Sequence, residues 1–139
     1  MTQLVIDSSV IVKWLNQQDE ERLAQSDKVL RDAVEERVTL LAPELAKYEI
    51  GNTLLMKKQL ETSDASITFK DLFIIPIQFV DLSEKLSKET YRIAKDLGIT
   101  YYDACFIALA KQEGAKLITD NPKHQGRTQE ITVIPLEEY

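Results

Sequence analysis

Short apolar segments alternate with helical patterns along the whole chain, and this alternation limits the possible folds more than any other feature. Strands are predicted at residues 4–6, 38–41, 77–82, 116–119 and 131–134. Between them, apolar residues recur at the spacing of amphipathic helices. Because the predicted strands are apolar and no Asn-Gly hairpin turn joins two of them, the sheet should be mostly parallel and covered by helices on both faces. The sequence therefore predicts a three-layer α/β/α fold with four to five strands in the central sheet.

Capping residues and helix breakers set the expected ends of the helices. Helices are predicted at about residues 10–15, 20–37, 45–60, 67–73, 84–97 and 100–114. Ser8 or Ser9 is expected to cap the first helix, Ser83 the fifth and Thr100 the sixth, because a side-chain oxygen there accepts a hydrogen bond from a free backbone amide. Gly98 should end the fifth helix.

The size of the chain favours one domain spanning residues 1–139. With 139 residues and 44% hydrophobic content, the chain can bury one core but is short for two. No apolar run reaches the roughly 18 residues that a membrane helix needs, and no basic leader precedes the first strand, so a cytoplasmic location is expected. Cys105 lies alone in an apolar run, which predicts a buried thiol and no disulfide.

The net charge of −6 argues against a protein that simply coats nucleic acid, because such binding normally depends on Lys and Arg. That argument weakens if the acidic residues hold divalent cations, which can reverse the sign of a site. Four glycines form no phosphate-binding loop, and one cysteine with one histidine cannot form a structural zinc site.

Several acidic residues occupy positions where a site would form. Asp7 follows the first predicted strand and Asp120 follows the fourth, and the carboxyl ends of parallel strands meet at one edge of a sheet. Glu49 lies in the middle of the third predicted helix, and Asp103 lies in the first turn of the sixth. These acids are candidate ligands for a hard cation, which prefers oxygen donors.

Each of these acids also has a structural interpretation. Asp7 and Asp120 could form turns or cap helices, although the serines after Asp7 could serve as caps instead. Glu49 could be a solvated surface residue. Asp103 stands three residues after Thr100, the spacing of a capping box in which the acid reaches back to the amide of the capping residue.

One locally basic segment follows the fourth strand. Lys123, His124 and Arg127 are close together in sequence and could contact phosphate groups near the carboxyl ends of the strands. A lone histidine is more often structural than catalytic, so His124 is not assigned as a base.

Four motifs occur in order along the chain: residues 5–10 (VIDSSV), 43–45 with 48–52 (PEL and YEIGN), 102–104 with 107–110 (YDA and IALA), and 117–119 (LIT). Together they resemble PIN domains, and most of all the VapC toxins of bacterial and archaeal toxin–antitoxin pairs. The resemblance covers essentially the whole chain. It implies a parallel sheet between helices, Mg²⁺- or Mn²⁺-dependent endoribonuclease activity, a homodimer, and a small antitoxin protein that covers the active site.

The resemblance also implies which residues form the site. Asp7, Glu49 and Asp103 fall on the three main acids of the family, as catalytic residues and metal ligands. The family often has Thr-x-Asp at a fourth position, where this chain reads Thr-Asp-Asn at residues 119–121. Either Asp120 or Asn121 is therefore the expected fourth metal ligand.

Two alternatives to an RNA-cleaving toxin remain open. A PIN-type nuclease without an antitoxin could act in RNA processing or on DNA with the same acids. A domain that only binds protein would use the acids as caps and surface charges. A phosphoacceptor receiver domain fits less well, since it needs an aspartate at the end of the third strand. No motif specifies which RNA would be cut.

Overall fold

Five strands form one sheet in the computed structural model, which describes residues 1–139. They are β1 (Thr2–Ile6), β2 (Val38–Pro43), β3 (Ile77–Val80), β4 (Lys116–Thr119) and β5 (Val133–Pro135). The order across the sheet is β3-β2-β1-β4-β5, and every neighbouring pair is parallel. The predicted α/β fold with a parallel central sheet is confirmed.

Seven α-helices connect and cover these strands. They are α1 (Ser8–Leu15), α2 (Leu23–Val34), α3 (Leu45–Met56), α4 (Thr62–Leu72), α5 (Glu84–Leu97), α6 (Tyr101–Glu113) and α7 (Pro122–Gln125). Ser83 and Thr100 cap α5 and α6 as predicted, and Gly98 follows α5 in the left-handed conformation with φ of +66°. No helix is both long and apolar enough to cross a membrane.

Some predicted boundaries were wrong. Helix α2 begins at Leu23 rather than near residue 20, because Arg22 adopts a left-handed conformation and the Glu20 side chain binds two lysines. Helix α3 ends at Met56, not near residue 60. Strand β5 begins two residues later than predicted. Helix α7 is not among the helices predicted from the sequence.

Helix α6 is the central helix of the core. Seven consecutive residues, Ala104 to Ala110, are buried in it, and α6 packs against α5, β1, β2 and β4. Cys105 is among them and is a buried free thiol, as predicted. Burying a side chain the size of Phe106 stabilises the fold by roughly 1.5–3 kcal/mol. Because this buried run begins in the first turn of α6, the start of the helix is held firmly in place.

The topology brings Asp7, just after β1, and Asp120, just after β4, to one point of the sheet. Strand β1 lies at the centre, with β2 on one side and β4 on the other. The chain moves outward from β1 to β3 and then returns to β4, so β1 and β4 flank the point where the strand order reverses. The Asp7 amide, just after β1, donates to the Ile118 carbonyl of β4 at 2.9 Å.

Candidate metal centre

Asp7 is the capping residue of α1, and its carboxylate is the acceptor of a hydrogen-bond network. Its Oδ2 accepts from the Ser9 backbone amide at 3.3 Å, the Ser9 hydroxyl at 2.5 Å and the Thr119 hydroxyl at 3.2 Å. Asp7 thus caps α1, as its structural interpretation predicted, and the expectation that Ser8 or Ser9 would cap this helix was wrong. Burial raises the pKa of Asp7, and the hydrogen bonds from Ser9, Gln125 and Thr119 partly offset that rise.

The backbone fixes the direction in which the two hydroxyls donate. The Asp120 amide donates to Ser9 Oγ at 3.0 Å, and the Asn121 amide donates to Thr119 Oγ1 at 3.1 Å. Each hydroxyl thus accepts from the backbone and gives its own proton to Asp7. The carboxylate is therefore oriented by donors that are themselves held in place.

Gln125 is a site residue that the sequence analysis missed. It is 2% exposed, and its Nε2 donates to Asp7 Oδ1 at 3.3 Å and to the Asp103 carbonyl at 3.4 Å. It lies on α7, the helix that was not predicted, and glutamine in a polar stretch gave no signal. The only sequence hint was Pro122, a residue often found at the first position of a helix.

Glu49 faces the same region from α3. Its Oε1 accepts a hydrogen bond from the Ser8 hydroxyl at 2.9 Å. Burial raises the pKa of Glu49 to about 7, and repulsion from the charges of Asp7 and Asp103 adds to the rise, while the Ser8 bond opposes it. Glu49 is thus half-buried among negative charges, and the surface interpretation does not hold.

Asp103 lies in the first turn of α6, with its carboxylate close enough to raise the pKa of Glu49. Thr100 Oγ1 accepts from the Asp103 amide at 3.1 Å, which is one half of the predicted capping box. The reciprocal bond, from the Thr100 amide to the Asp103 carboxylate, does not form. The carboxylate of Asp103 is therefore available for another partner.

The two candidates for the fourth ligand are placed differently. The carboxylate of Asp120 is paired with Lys13 Nζ at 2.9 Å, with Arg22 Nη2 at 3.0 Å and with Arg22 Nε. Although burial alone would raise it, the pKa of Asp120 is lowered by these cations. Asn121 is exposed, and its side chain makes no capping bond to α7.

The donor chemistry of Asp7, Glu49 and Asp103 fits a hard divalent cation. All three offer carboxylate oxygens, and their mutual repulsion would be relieved by a positive charge. No three Asp, Glu, His or Cys side chains are close enough to coordinate one ion together. That spacing is compatible with Mg²⁺, which keeps several waters and uses only one or two protein carboxylates. The role of these acids as ligands stays a prediction.

The family model for the PIN domain matches residues 4–129. The chain belongs to the PIN-domain family. The resemblance seen in the motifs is thus confirmed.

Individual relatives agree with this assignment. The chain is 32% identical over 121 residues to a ribonuclease, VapC3 of Pyrobaculum aerophilum, covering 84% of this chain and 87% of the relative. It is 27% identical to exonuclease VapC9 of the same organism, covering 68% and 71%. The crystal structure of VapBC2 from Rickettsia felis, bound to a promoter DNA fragment, has a similar fold with a TM-score of 0.73. That match has 15% identity and covers 96% of this chain and 98% of the other.

Proposed function

We propose that this PIN-domain protein is a Mg²⁺- or Mn²⁺-dependent endoribonuclease and the toxin of a toxin–antitoxin pair. The observation that supports this most is the approach of Glu49 to Asp7: Glu49 Oε1 bonds the hydroxyl of Ser8, the residue after Asp7, and burial together with the charges of Asp7 and Asp103 raises the pKa of Glu49 to about 7. Negative charges gathered in a partly buried site are costly unless a cation compensates them. The similarity to ribonuclease VapC3 supports RNA as the substrate.

The chain's own residues prepare the site for phosphodiester hydrolysis. A bound divalent cation would acidify a water molecule and offset charge on the phosphate. Asp7 is oriented for this role by Ser9 and Thr119, and Asp103 is held at the start of the buried helix α6. Glu49 has one oxygen bound to Ser8, which leaves Oε2 for a cation or its water.

RNA must approach a protein of net negative charge, so local cations are needed for binding. We assign phosphate contacts to Lys123 and Arg127, both exposed around α7. Each phosphate contact with single-stranded RNA should steepen the salt dependence of binding by roughly 0.7 in the log–log slope. A Lys123→Gln variant should therefore bind RNA more weakly and with a shallower salt slope.

An exposed apolar surface on α3 and α4 is where we place the antitoxin. The surface consists of Tyr48 and Leu55 on α3, Ile67 and Phe69 on α4, and Phe73 just after α4. All of these except Ile67 line a groove of about 480 Å³. Apolar patches of this kind on a protein surface usually mark a binding site. A protein bound here would contact α3, the helix that also carries Glu49.

The decisive experiment is RNA cleavage by the purified protein after any bound partner has been stripped. Cleavage should require Mn²⁺ or Mg²⁺, stop with a chelator, and fall at least about a hundredfold in Asp7→Asn. Asp64→Asn removes an exposed carboxylate on α4 and should leave cleavage unchanged. Full activity of Asp7→Asn, or cleavage of DNA in preference to RNA, would overturn the proposal.

The partner and the assembly need a second experiment. Co-expression with the neighbouring small open reading frames should yield a complex that cleaves no RNA, and Phe73→Glu should weaken that complex without affecting cleavage by the free protein. Light scattering on the free protein should give the mass of a homodimer. A monomer that copurifies with no partner would instead support the alternative of a nuclease that acts without an antitoxin.

A further inference from the structure

We propose that Lys13 and Asp120 form a buried ion pair that positions the metal-binding carboxylate of Asp7, and that Asp120 is not itself a metal ligand. Ser9 connects the pair to Asp7. Lys13 and Asp120 are thus positioning residues, which act through another side chain. The inference rests on the proposed function, because it concerns the same metal site.

Lys13 is an unusual residue to find in a protein interior. Its side chain is 1% exposed, and its ammonium contacts Glu20 Oε1 at 2.9 Å, the Glu21 carbonyl at 2.8 Å and Asp120 Oδ2 at 2.9 Å. The contacts with Glu20 and Glu21 are hydrogen bonds and the contact with Asp120 is an ion pair, so the ammonium is surrounded by acceptors. A buried lysine this fully bonded has a defined place, and one of its partners is Asp120.

The carboxylate of Asp120 has no oxygen left without a cation. Oδ2 forms an ion pair with Lys13 Nζ and accepts a hydrogen bond from Arg22 Nη2, and Oδ1 accepts from Arg22 Nε. A metal ion bound directly to Asp120 would add a further positive charge to a carboxylate that already contacts two cations, and it would weaken the pair with the buried Lys13. Disturbing one partner of a buried ion pair is costly, because it leaves charge less well compensated.

The backbone of Asp120 points toward the site, although its side chain does not. The Asp120 amide donates to Ser9 Oγ at 3.0 Å, and Ser9 Oγ donates to Asp7 Oδ2 at 2.5 Å. Holding the Asp120 side chain therefore holds its amide, and the amide holds the Ser9 hydroxyl in the direction of Asp7. Residues that orient a metal ligand through hydrogen bonds, without contacting the metal, commonly affect metal affinity.

A second buried lysine provides a matched control. Lys58 binds the other oxygen of Glu20 at 2.7 Å and the Gln18 carbonyl, and its side chain is 5% exposed. It belongs to the same ion-pair network as Lys13, but it does not contact Asp120. Loss of Lys58 should disturb the segment around Glu20 without reaching Ser9 or Asp7.

The test measures Mn²⁺ binding by calorimetry in the absence of RNA. Lys13→Met should raise the Mn²⁺ dissociation constant about tenfold or more, which is the usual effect of losing a residue that orients a metal ligand. Lys58→Met should lower the melting temperature but leave the Mn²⁺ dissociation constant within about twofold of the original. Equal weakening in both variants, or none in Lys13→Met, would overturn the inference.

A double-mutant cycle tests the route through Ser9. Ser9→Ala removes the hydroxyl between the Asp120 amide and Asp7. If Lys13 acts through Ser9, adding Lys13→Met to Ser9→Ala should weaken Mn²⁺ binding by less than about twofold further. In the metal-free protein, Lys13→Met should also speed hydrogen exchange of the Asp120 amide. Additive effects on Mn²⁺ binding would show that Lys13 acts independently of Ser9 and would overturn the proposed route.

Another variant separates a positioning residue from a metal ligand. Lys13→Met combined with Asp120→Leu removes both charges of the pair, a change that is often neutral for folding. This variant should bind Mn²⁺ at least as tightly as Lys13→Met alone, and it substitutes for Lys13→Met if that variant does not fold. Complete loss of binding in the double variant would make Asp120 a ligand. Unchanged Mn²⁺ binding in Asp7→Asn would instead refute the metal site itself.

Discussion

Gln125 joins Asp7 to the start of helix α6: its amide nitrogen lies 3.3 Å from Asp7 Oδ1 and 3.4 Å from the Asp103 carbonyl. One buried side chain on a four-residue helix thus connects two of the acids. Neither bond is short, but both N–H groups of the amide are used. Relative movement of Asp7 and Asp103 would have to break one of them.

Replacing this amide tests its contribution. Gln125→Leu keeps most of the volume but removes both donors, so stability should fall by about 1 kcal/mol. Mn²⁺ binding should weaken about tenfold, because Asp7 would be less well oriented. Urea unfolding and calorimetry would measure the two effects. Gln112→Leu, a change on the exposed side of α6, should alter neither. Mn²⁺ affinity unaffected by Gln125→Leu would show that this residue only fills space.

Gly126 follows Gln125 where the chain turns tightly. A Cβ at this position would lie 2.6 Å from the Pro122 carbonyl oxygen, which is backbone and cannot easily move. Gly126→Ala should therefore cost about 1–3 kcal/mol of stability and displace the turn that carries Gln125. Gly51→Ala is the control, since its nearest neighbour would be Phe69 at an ordinary 3.7 Å. In the middle of α3, Gly51→Ala should raise stability by up to about 1 kcal/mol. Similar melting temperatures for the two variants would contradict this explanation.

Thr119 is fully buried and holds Asp7 through its hydroxyl. Thr119→Val keeps the shape but leaves the Asn121 amide without its acceptor, so we expect a loss of about 1–3 kcal/mol in unfolding free energy. Removing this donor should also raise the pKa of Asp7 further. Thr119→Ser retains the hydroxyl and should keep Mn²⁺ affinity close to that of the original protein. If Thr119→Ser weakens Mn²⁺ binding as much as Thr119→Val, the methyl group matters instead.

The raised pKa of Glu49 predicts how the metal-free protein responds to pH. The folded state holds this proton up to about 7, whereas the unfolded chain releases it near its ordinary value of 4.5. Stability should therefore fall as pH rises through that window. Carboxylates with lowered pKa values, such as Glu89 at about 2, affect stability at lower pH than this window, because the stability they contribute is lost on acidification.

Melting temperatures measured from about pH 5 to about pH 8 would show this fall, and Glu49→Gln should reduce it. Mn²⁺ should bind more tightly at higher pH, since the cation competes with the proton. The control is Glu61→Gln, which removes an exposed carboxylate and should keep the original pH profile. A profile in Glu49→Gln identical to that of the original protein would contradict this assignment.

Much of the fold followed from local sequence signals. Ser83, Gly98 and Thr100 mark helix ends by local hydrogen bonding and backbone conformation, and the helix ends predicted there are confirmed. The errors arose where tertiary contacts override local preference. Helix α2 starts late because the Glu20 side chain forms ion pairs with Lys13 of α1 and with Lys58, which follows α3.

The candidate site shows the same division. Asp7 and Asp120 look alike in sequence, each following a buried strand, and only packing separates them. Asp7 receives neutral donors and remains a candidate ligand, whereas Asp120 is paired with Lys13 and Arg22. Such a difference depends on side chains about a hundred residues apart, as the pair between Arg22 and Asp120 illustrates.

The sequence by itself determined the parallel α/β architecture, the family and the set of acids near one edge of the sheet, because hydrophobic periodicity, caps and motif order are local properties. Only the tertiary structure decided which acid is neutralised, which hydroxyls orient Asp7, and that Gln125 belongs to the site. Burial and hydrogen-bond partners set the charge and direction of a polar group, and these arise only when distant segments pack together.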